Sequence, residues 1–472
     1  MRRRSFVHRT GLLAAGSLLA STWPALAAPM FPTVRPAAGQ RRFRSVAVEG
    51  IISEFQRQVK DPELGWLFGN CFPNTLDTTV TTGRYQGRPD TYVITGDIDA
   101  MWLRDSSAQV WPYLPLAPHD ATLRELLAGV INRQTRCILL DPYANAFYND
   151  PARVGEWAKD QTTMQPGIHE RKWEIDSLCY PIRLAYQYWK TTGDEQPFDQ
   201  QWRQAIALTV RTFREQQRKT GPGPYHFQRE TANATDTQPL SGYGYPVRPT
   251  GMICSAFRPS DDATRLQFLV PSNLFAVVSL RQAALMLNDI FHDAAAYADL
   301  MALADEVATA TRQHAVVTHP TYGQVYAYEV DGYGSHTLMD DANVPSLLAL
   351  PYLGAALRTD PLYQNTRRLA LSADNPFFFK GTAAEGIGSP HTGLGQIWPL
   401  AIVMRGLTST DDVEIRACVQ ALKATHAGTG YLHESFSQND PKKFSRAWFA
   451  WANTLCGEFL WQVYRERPAL LG

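Results

Sequence analysis

Asp97, Asp99, Asp105, Asp176, Asp261, Asp262, Asp340, Asp341 and Glu434 are the carboxylates whose surroundings suggest chemistry, because they fall in short clusters that mostly also hold arginine, histidine or tryptophan. Two such groups in different environments can act on an acetal. One carboxylic acid protonates the departing oxygen, and another carboxylate activates water or attacks directly. Residue types alone leave the pair open. Competing reactions lack their signatures: His169-Glu170 and His433-Glu434 have no second histidine at metalloprotease spacing, and there is no G-x-S-x-G or Walker loop. Gly386-x-Gly388 lacks a third glycine and a preceding strand.

The densest cluster, residues 96–113, puts Asp97, Asp99, Arg104 and Asp105 among Trp102, Trp111 and Tyr113. Its apolar positions follow neither strict alternation nor a helical stripe, so its charges are not simply the wet face of an amphipathic element. The structural alternative is a helix start capped by Asp97 or Asp99, with Arg104 and Asp105 as a surface ion pair; for Asp261-Asp262 it is a cap ahead of Ala263. For His433-Glu434 it is a surface turn after Gly428-Thr429-Gly430.

The 472 residues carry 45 Lys plus Arg against 45 Asp plus Glu, so no overall field favours nucleic acid or an anionic membrane. A neutral partner fits better. Aromatics make up 11% of the chain, and flat rings are how proteins grip the apolar faces of neutral ligands such as sugars.

Arg2-Arg3-Arg4-Ser5-Phe6-Val7 precedes an apolar run over 11–20 and the small-x-small site Ala25-Leu26-Ala27. This predicts a bacterial signal peptide of twin-arginine type over 1–27, with 28–472 as one exported domain, periplasmic or secreted. The run is too short for an anchor, and no other span is read in the remaining chain, so the mature form is expected to be free of the membrane. The six cysteines are scattered, without metal-like or disulfide-scaffold spacing, and are expected to be mainly buried thiols.

The elements that must position the clusters read as helices. Residues 44–60 have a helical pattern, and Asp120 is a candidate cap ahead of Leu123, Leu126, Leu127, Val130 and Ile131. The cluster from His169 to Asp176 runs into an apolar helix, and Phe198 to Phe213 marks an amphipathic one. Residues 220–250 form a Gly/Pro/Tyr-rich insertion of a length that is usually functional when ordered. Apolar helices follow from Pro271, Val344 and Ile397 and after Asn453, with amphipathic ones such as 295–312 between. Six polar clusters, near Asp97, Asp176, Asp261, Asp341, His391 and Glu434, thus each stand before a mostly apolar helix. No β-α-β rhythm appears. The pattern is all-α, an (α/α)6 barrel of six inner and six outer helices, with every cluster at one end.

Thr95-Gly96-Asp97-Ile98 with Ala100-Met101-Trp102-Leu103-Arg104-Asp105-Ser106, then Phe257-Arg258-Pro259-Ser260-Asp261-Asp262-Ala263, then His433-Glu434-Ser435-Phe436, resemble in order the signature blocks of glycoside hydrolase family 125. The similarity covers most of the chain. It implies an (α/α)6-barrel, metal-independent and cofactor-free inverting exo-α-mannosidase, which removes non-reducing-terminal α-1,6-linked mannose from α-mannosides or N-glycan-type oligosaccharides. It puts the general acid on Asp261, with Asp262 as the alternative, and the general base on Glu434. Trp102, Arg104 and Asp105 would line the terminal-mannose subsite, with Asp97, Arg258, His391 and Arg446 as further contacts. Asp262 and partial burial are expected to raise the Asp261 pKa, while Arg258 would oppose this from whichever aspartate it joins. Inversion would set the two carboxyls about 6.5–9.5 Å apart. Another (α/α)6 glycosidase acting on α-glucosides, and a catalytically silent carbohydrate-binding protein, are the remaining readings.

Overall fold

The computed structural model describes residues 31–472, so the leader expected over 1–27 lies outside the described residues. Residues 34–472 form one compact unit. Its α-helices are α1 (Val46–Gln58), α2 (Pro62–Cys71), α3 (Asn74–Thr78), α4 (Leu103–Val110), α5 (Ala121–Leu140), α6 (Ile175–Thr192) and α7 (Gln200–Gln216). Then come α8 (Val270–Phe291), α9 (Ala294–Ala315), α10 (Pro361–Ala370), α11 (Pro399–Leu407), α12 (Asp412–Thr425) and α13 (Ala450–Glu466).

Two kinds of helix start divide them. Seven helices open on a side-chain cap: Ser45, Asp61, Asp120, Asp199, Asp293, Asp360 and Asp411 accept backbone N–H groups at the starts of α1, α2, α5, α7, α9, α10 and α12. In contrast α4, α6, α8, α11 and α13 open on Trp102, Glu174, Leu269, Trp398 and Phe449, with extended backbone and no side-chain cap. The second set is the inner ring. α4 packs on α6, α6 on α8, α11 on α13, and α13 back on α4; α5 with α7, α9 and α12 pack outside. This is the (α/α)6 barrel.

The sixth inner place is filled without an α-helix. The helix expected from Val344 is instead a series of buried turns. The Asp340 carboxylate accepts the N–H groups of Leu347 and Leu348 at 2.8 and 2.9 Å, satisfying the backbone that a helix would otherwise pair. Tyr180 and Arg183 of α6 donate to the carbonyls of Val344 and Tyr352, and the Tyr352 hydroxyl donates to Glu458 of α13, which wedges the segment between the two helices.

α8 corrects another expectation. It is 22 residues long and apolar enough by composition to cross a bilayer, yet it packs between α6 and α9 inside the unit. An inner helix is buried on most sides, so it carries little of the polar stripe that marks an outer one.

Two close approaches depend on glycine. A Cβ at Gly457 would stand 2.5 Å from the Phe72 Cα, where α13 crosses the end of α2. At Gly96 (φ +133°) it would stand 2.3 Å from the Trp448 carbonyl oxygen, and the same contact pairs Gly96 with Phe449. That second approach joins the first polar cluster to the last. All six cysteines are buried and free.

Candidate active site

All six clusters supply walls to one cavity of about 400 Å³ at the N-terminal ends of the inner helices. Its lining includes Trp102, Arg104 and Asp105; His169, Glu170 and Lys172; Ser260, Asp261 and Asp262; Asn343; His391 and Trp398; and Glu434, Arg446, Phe449 and Trp451. The volume falls in the usual range for small-molecule sites. Because no inner helix has a side-chain cap, the aspartates here are not capping groups. α4 starts at Leu103 rather than after Asp97 or Asp99, and no helix starts at Ala263. The capping alternative therefore fails for both.

Short strands hold the Glu434 side. Ser435–Ser437 pairs with Gln396–Ile397 and with Asp440–Ser445, which sets Ser445 opposite Ser435. The Ser445 hydroxyl donates to Glu434 Oε2 at 2.9 Å, and Arg446 Nη1 stands 3.5 Å from Oε1. Arg446 is itself anchored by Asp97, at 2.9 Å from Nε, and by the Thr95 hydroxyl at 3.0 Å. Asp97, expected to line the sugar subsite, is exposed and is not among the residues lining the cavity; its carboxylate holds Arg446, which is.

The opposite side is built on a tight loop, 257–263, closed by a bridge between Phe257 and Ala263 and by the Arg258 N–H donating to the Asp262 carbonyl at 2.7 Å. Asp261 has φ +65°, a left-handed conformation that aspartate tolerates better than most residues. Lys172 Nζ donates to its carbonyl oxygen at 2.9 Å and Asn145 Nδ2 to its Oδ1 at 3.2 Å. Arg258 is also outside the wall: its buried guanidinium pairs with Glu329 at 2.7 Å, not with either aspartate.

Arg104 is the hub. Its guanidinium lies 3.4 Å from Asp105 Oδ2, 2.5 Å from Glu174 Oε2, 3.3 Å from Asp176 Oδ2 and 3.6 Å from Asp261 Oδ1. Burial raises the pKa of Asp105, lifts Asp176 to about 6 and pushes Glu174 well above the usual carboxylate range, although Arg104 opposes all three shifts. Asp261 goes the other way. Burial acts to raise it, but Arg104, Lys172, a hydrogen bond from Glu174, and His391 together take it down to about 2. The upward push expected from Asp262 is not among the main influences; burial supplies the push, and it is outweighed chiefly by cations from distant parts of the chain.

Asp262 takes the Thr235 hydroxyl at 3.0 Å and faces His391 Nδ1 at 3.4 Å through Oδ1, while its buried Oδ2 has no protein partner. Burial would lower the His391 pKa, but Asp262, Glu434 and Asp261 outweigh it and raise it to about 9. Trp102 Nε1 and Asn343 Nδ2 are likewise buried without a protein partner. Unpaired donors and an unpaired acceptor lining one cavity suit a ligand rich in hydroxyls, which can serve as either partner.

A third wall was not resolved into residues by sequence reasoning. The 220–250 insertion brings Arg229, Asn233 and Asp236, and the stretch after Tyr148 brings Glu156 and Trp157. Arg229 stacks 3.6 Å over the Trp157 ring and grips Asp160 with two hydrogen bonds, at 2.9 and 2.7 Å. His169, Glu170, Lys172 and Glu174 belong to a cluster singled out above but were not assigned to the site. The polar-aromatic run from His169 to Asp176 was the signal that could have placed them. Among the described residues, no group of three or more His, Cys, Asp and Glu side chains is arranged to hold a metal ion.

The model of a family described as metal-independent α-mannosidases (GH125) matches residues 61–461. The chain is 42% identical to the meiotically up-regulated gene 157 protein of Schizosaccharomyces pombe, over 95% of this chain and 92% of that protein. It is 41% identical to a solved metal-independent α-mannosidase from Streptococcus pneumoniae, in a non-productive complex with α-1,6-mannobiose; the TM-score is 0.87, over 90% of this chain and all of that one. A cavity walled by carboxylates and tryptophans, on this barrel and with this kinship, makes the chain a member of glycoside hydrolase family 125, the metal-independent α-mannosidases.

Proposed function

We propose that this protein is an inverting exo-α-1,6-mannosidase, with Asp261 as general acid and Glu434 as general base, releasing terminal mannose from mannose oligosaccharides such as those of N-glycan type. The observation that carries the reading is that Asp261 and Glu434, far apart in the chain, line one cavity together with Trp102 and Trp398. The linkage rests on kinship with the α-mannosidase whose complex holds α-1,6-mannobiose. In this mechanism Asp261 protonates the glycosidic oxygen as the bond to the anomeric carbon breaks. Glu434 takes a proton from a water attacking the opposite face, and the sugar leaves with inverted configuration.

Digestion of α-1,6-mannobiose beside its α-1,2 and α-1,3 isomers, followed by proton NMR, tests this directly. The α-1,6 isomer should be cleaved fastest, and β-mannose should appear before mutarotation. First release of the α-anomer would overturn inversion, and binding without turnover of any isomer would restore the silent carbohydrate-binding reading.

Asp262 is the second candidate acid, favoured by its unpartnered buried Oδ2. Export through residues 1–27, to the periplasm or beyond, belongs to the same proposal and is supported by the paired arginines, apolar run and small-x-small site. Sequencing the N-terminus of protein isolated from its own cells should read from Ala28, and an intact Met1 would rule out cleavage.

A further inference from the structure

The third wall of the cavity is fastened to the loop that carries Asp261. The Ala263 N–H donates to the Thr235 carbonyl at 2.7 Å, and the Thr235 hydroxyl donates to Asp262 Oδ1 at 3.0 Å. Lys172 Nζ bridges the two segments, donating to Asp236 Oδ1 at 2.6 Å and to the Asp261 carbonyl at 2.9 Å. Glu434 is held by a different set, Ser445 and Arg446. A general acid protonates the oxygen that departs, while the base works on water at the opposite face of the sugar being released. The departing sugar therefore belongs on the acid's side of the cavity, against the wall built onto that loop.

This wall is cross-braced. Gln161 and Gln228 exchange backbone hydrogen bonds at 2.7 and 3.2 Å, which ties the stretch after Tyr148 to the 220–250 insertion. Trp157 lies in a short turn, Glu156–Lys159, that ends on Asp160. Both oxygens of Asp160 grip Arg229, and the Arg229 guanidinium lies 3.6 Å over the Trp157 ring. Arg229 is buried and also meets Glu170 at 3.0 Å and Asp236 at 3.1 Å, so it is fixed from several directions. The indole it covers is half-buried and still lines the cavity. Such a ring is ordered before any ligand arrives, and little entropy is lost when an apolar face settles on it.

We infer that Trp157, braced by Arg229, is the platform for the leaving sugar, and so a specificity-determining residue for what lies beyond the terminal mannose, a role that rests on Asp261 being the acid. The ligand it takes is a second hexopyranose joined through its primary hydroxyl. An α-1,6 link passes through C6 and so has one more rotatable bond than a link to a ring hydroxyl. The attachment itself confines the departing sugar less, and the platform supplies the missing restraint. Contact there, remote from the bond being broken, holds the glycosidic oxygen on Asp261 as the bond breaks.

Two substrates separate this role from a structural one. α-1,6-Mannobiose has a leaving sugar, whereas α-mannosyl fluoride carries the same terminal mannose and releases fluoride, which needs no proton. In Trp157→Ala the ratio of kcat/KM on mannobiose to that on the fluoride should fall by about 10–30-fold relative to wild type. Trp157→Phe, which keeps a ring, should recover part of that ratio. A loss shared equally by both substrates means that Trp157 supports the fold or the terminal subsite and overturns the inference, as does an unchanged rate on both. Should Trp157→Ala not fold, Trp157→Leu and Trp157→Phe compared on the same pair decide in the same way. The acid assignment is read on a different variant. Asp261→Asn should be impaired far less on the fluoride than on mannobiose, and an equal impairment there removes Asp261 as the acid while the Trp157 ratio stands or falls on its own.

Discussion

Asp261→Asn and Glu434→Gln should each lower kcat on α-1,6-mannobiose by about 10²–10⁴-fold while leaving the Kd for the disaccharide within a few-fold. The reason is that a general acid and a general base, the roles proposed for them, act on charge that develops only in the transition state. The two losses should respond differently to the leaving group. An aryl mannoside whose phenol is already acidic departs without a proton, so the Asp261→Asn deficit should shrink steeply on such a substrate. The Glu434→Gln deficit should persist, because water must still be deprotonated. Asp262→Asn provides the comparison. If Asp262 shows the leaving-group dependence and Asp261 does not, the acid moves by one residue. If all three variants lose substrate binding in proportion to rate, the groups hold the sugar and the acid–base reading of this wall fails. A merely structural aspartate at position 261 would give an unfolded or unchanged enzyme, and neither depends on the phenol.

The outer half of the barrel was legible because its physics is local. Asp120 caps the N–H groups of Thr122 and Leu123 two and three residues on, and the apolar stripe of α5 follows at helical spacing. The convergence of the six clusters was legible too, since each polar run stood just before an apolar helix. What each side chain does was not, because the partners that decide it are distant. Asp97 looked like a cavity residue from its neighbours, yet its bond is to Arg446, 349 positions away. Asp261 was expected to be raised by Asp262, the residue beside it, and is lowered by Arg104 and Lys172, which only the fold brings near. Glu174 is the inner-helix N-cap residue of α6 and has no local sign of burial, but it pairs with Arg104 of the neighbouring inner helix α4. The 340–357 segment failed as a helix for a similar reason: Asp340 was read as part of a polar cluster at the cavity, and its carboxylate instead takes the backbone ahead of it.

Arg104→Met should cost about 3–5 kcal/mol of stability near neutral pH, more than any single carboxylate it contacts, because it strands several buried acids at once. The dependence on pH identifies the cause. Asp105, Glu174 and Asp176 already have pKa values raised by burial in the presence of Arg104, and without it they would rise further. Between the unfolded and folded pKa values of such an acid, the folded state binds more protons, so stability falls as pH rises through that window. For Asp176 the window runs from the ordinary aspartate value up to about 6 in the wild type, and it widens upwards when the cation is removed. Urea unfolding of the variant should therefore show its largest deficit at about pH 8 and a distinctly smaller one at about pH 5, where the stranded groups are neutral. Asp261 contributes with the opposite history. Its depressed pKa comes partly from Arg104, so removing the arginine also removes the stability that ionised Asp261 supplied above its unfolded pKa, a term that vanishes on acidification. That Asp261 loss is in full force at about pH 5 and at about pH 8 alike and fades only below the ordinary aspartate range, so the recovery between those two pH values comes from the raised acids. A deficit equal at both pH values would mean that Arg104 matters through the packing of its chain alone, and that the carboxylates around it do not depend on its charge.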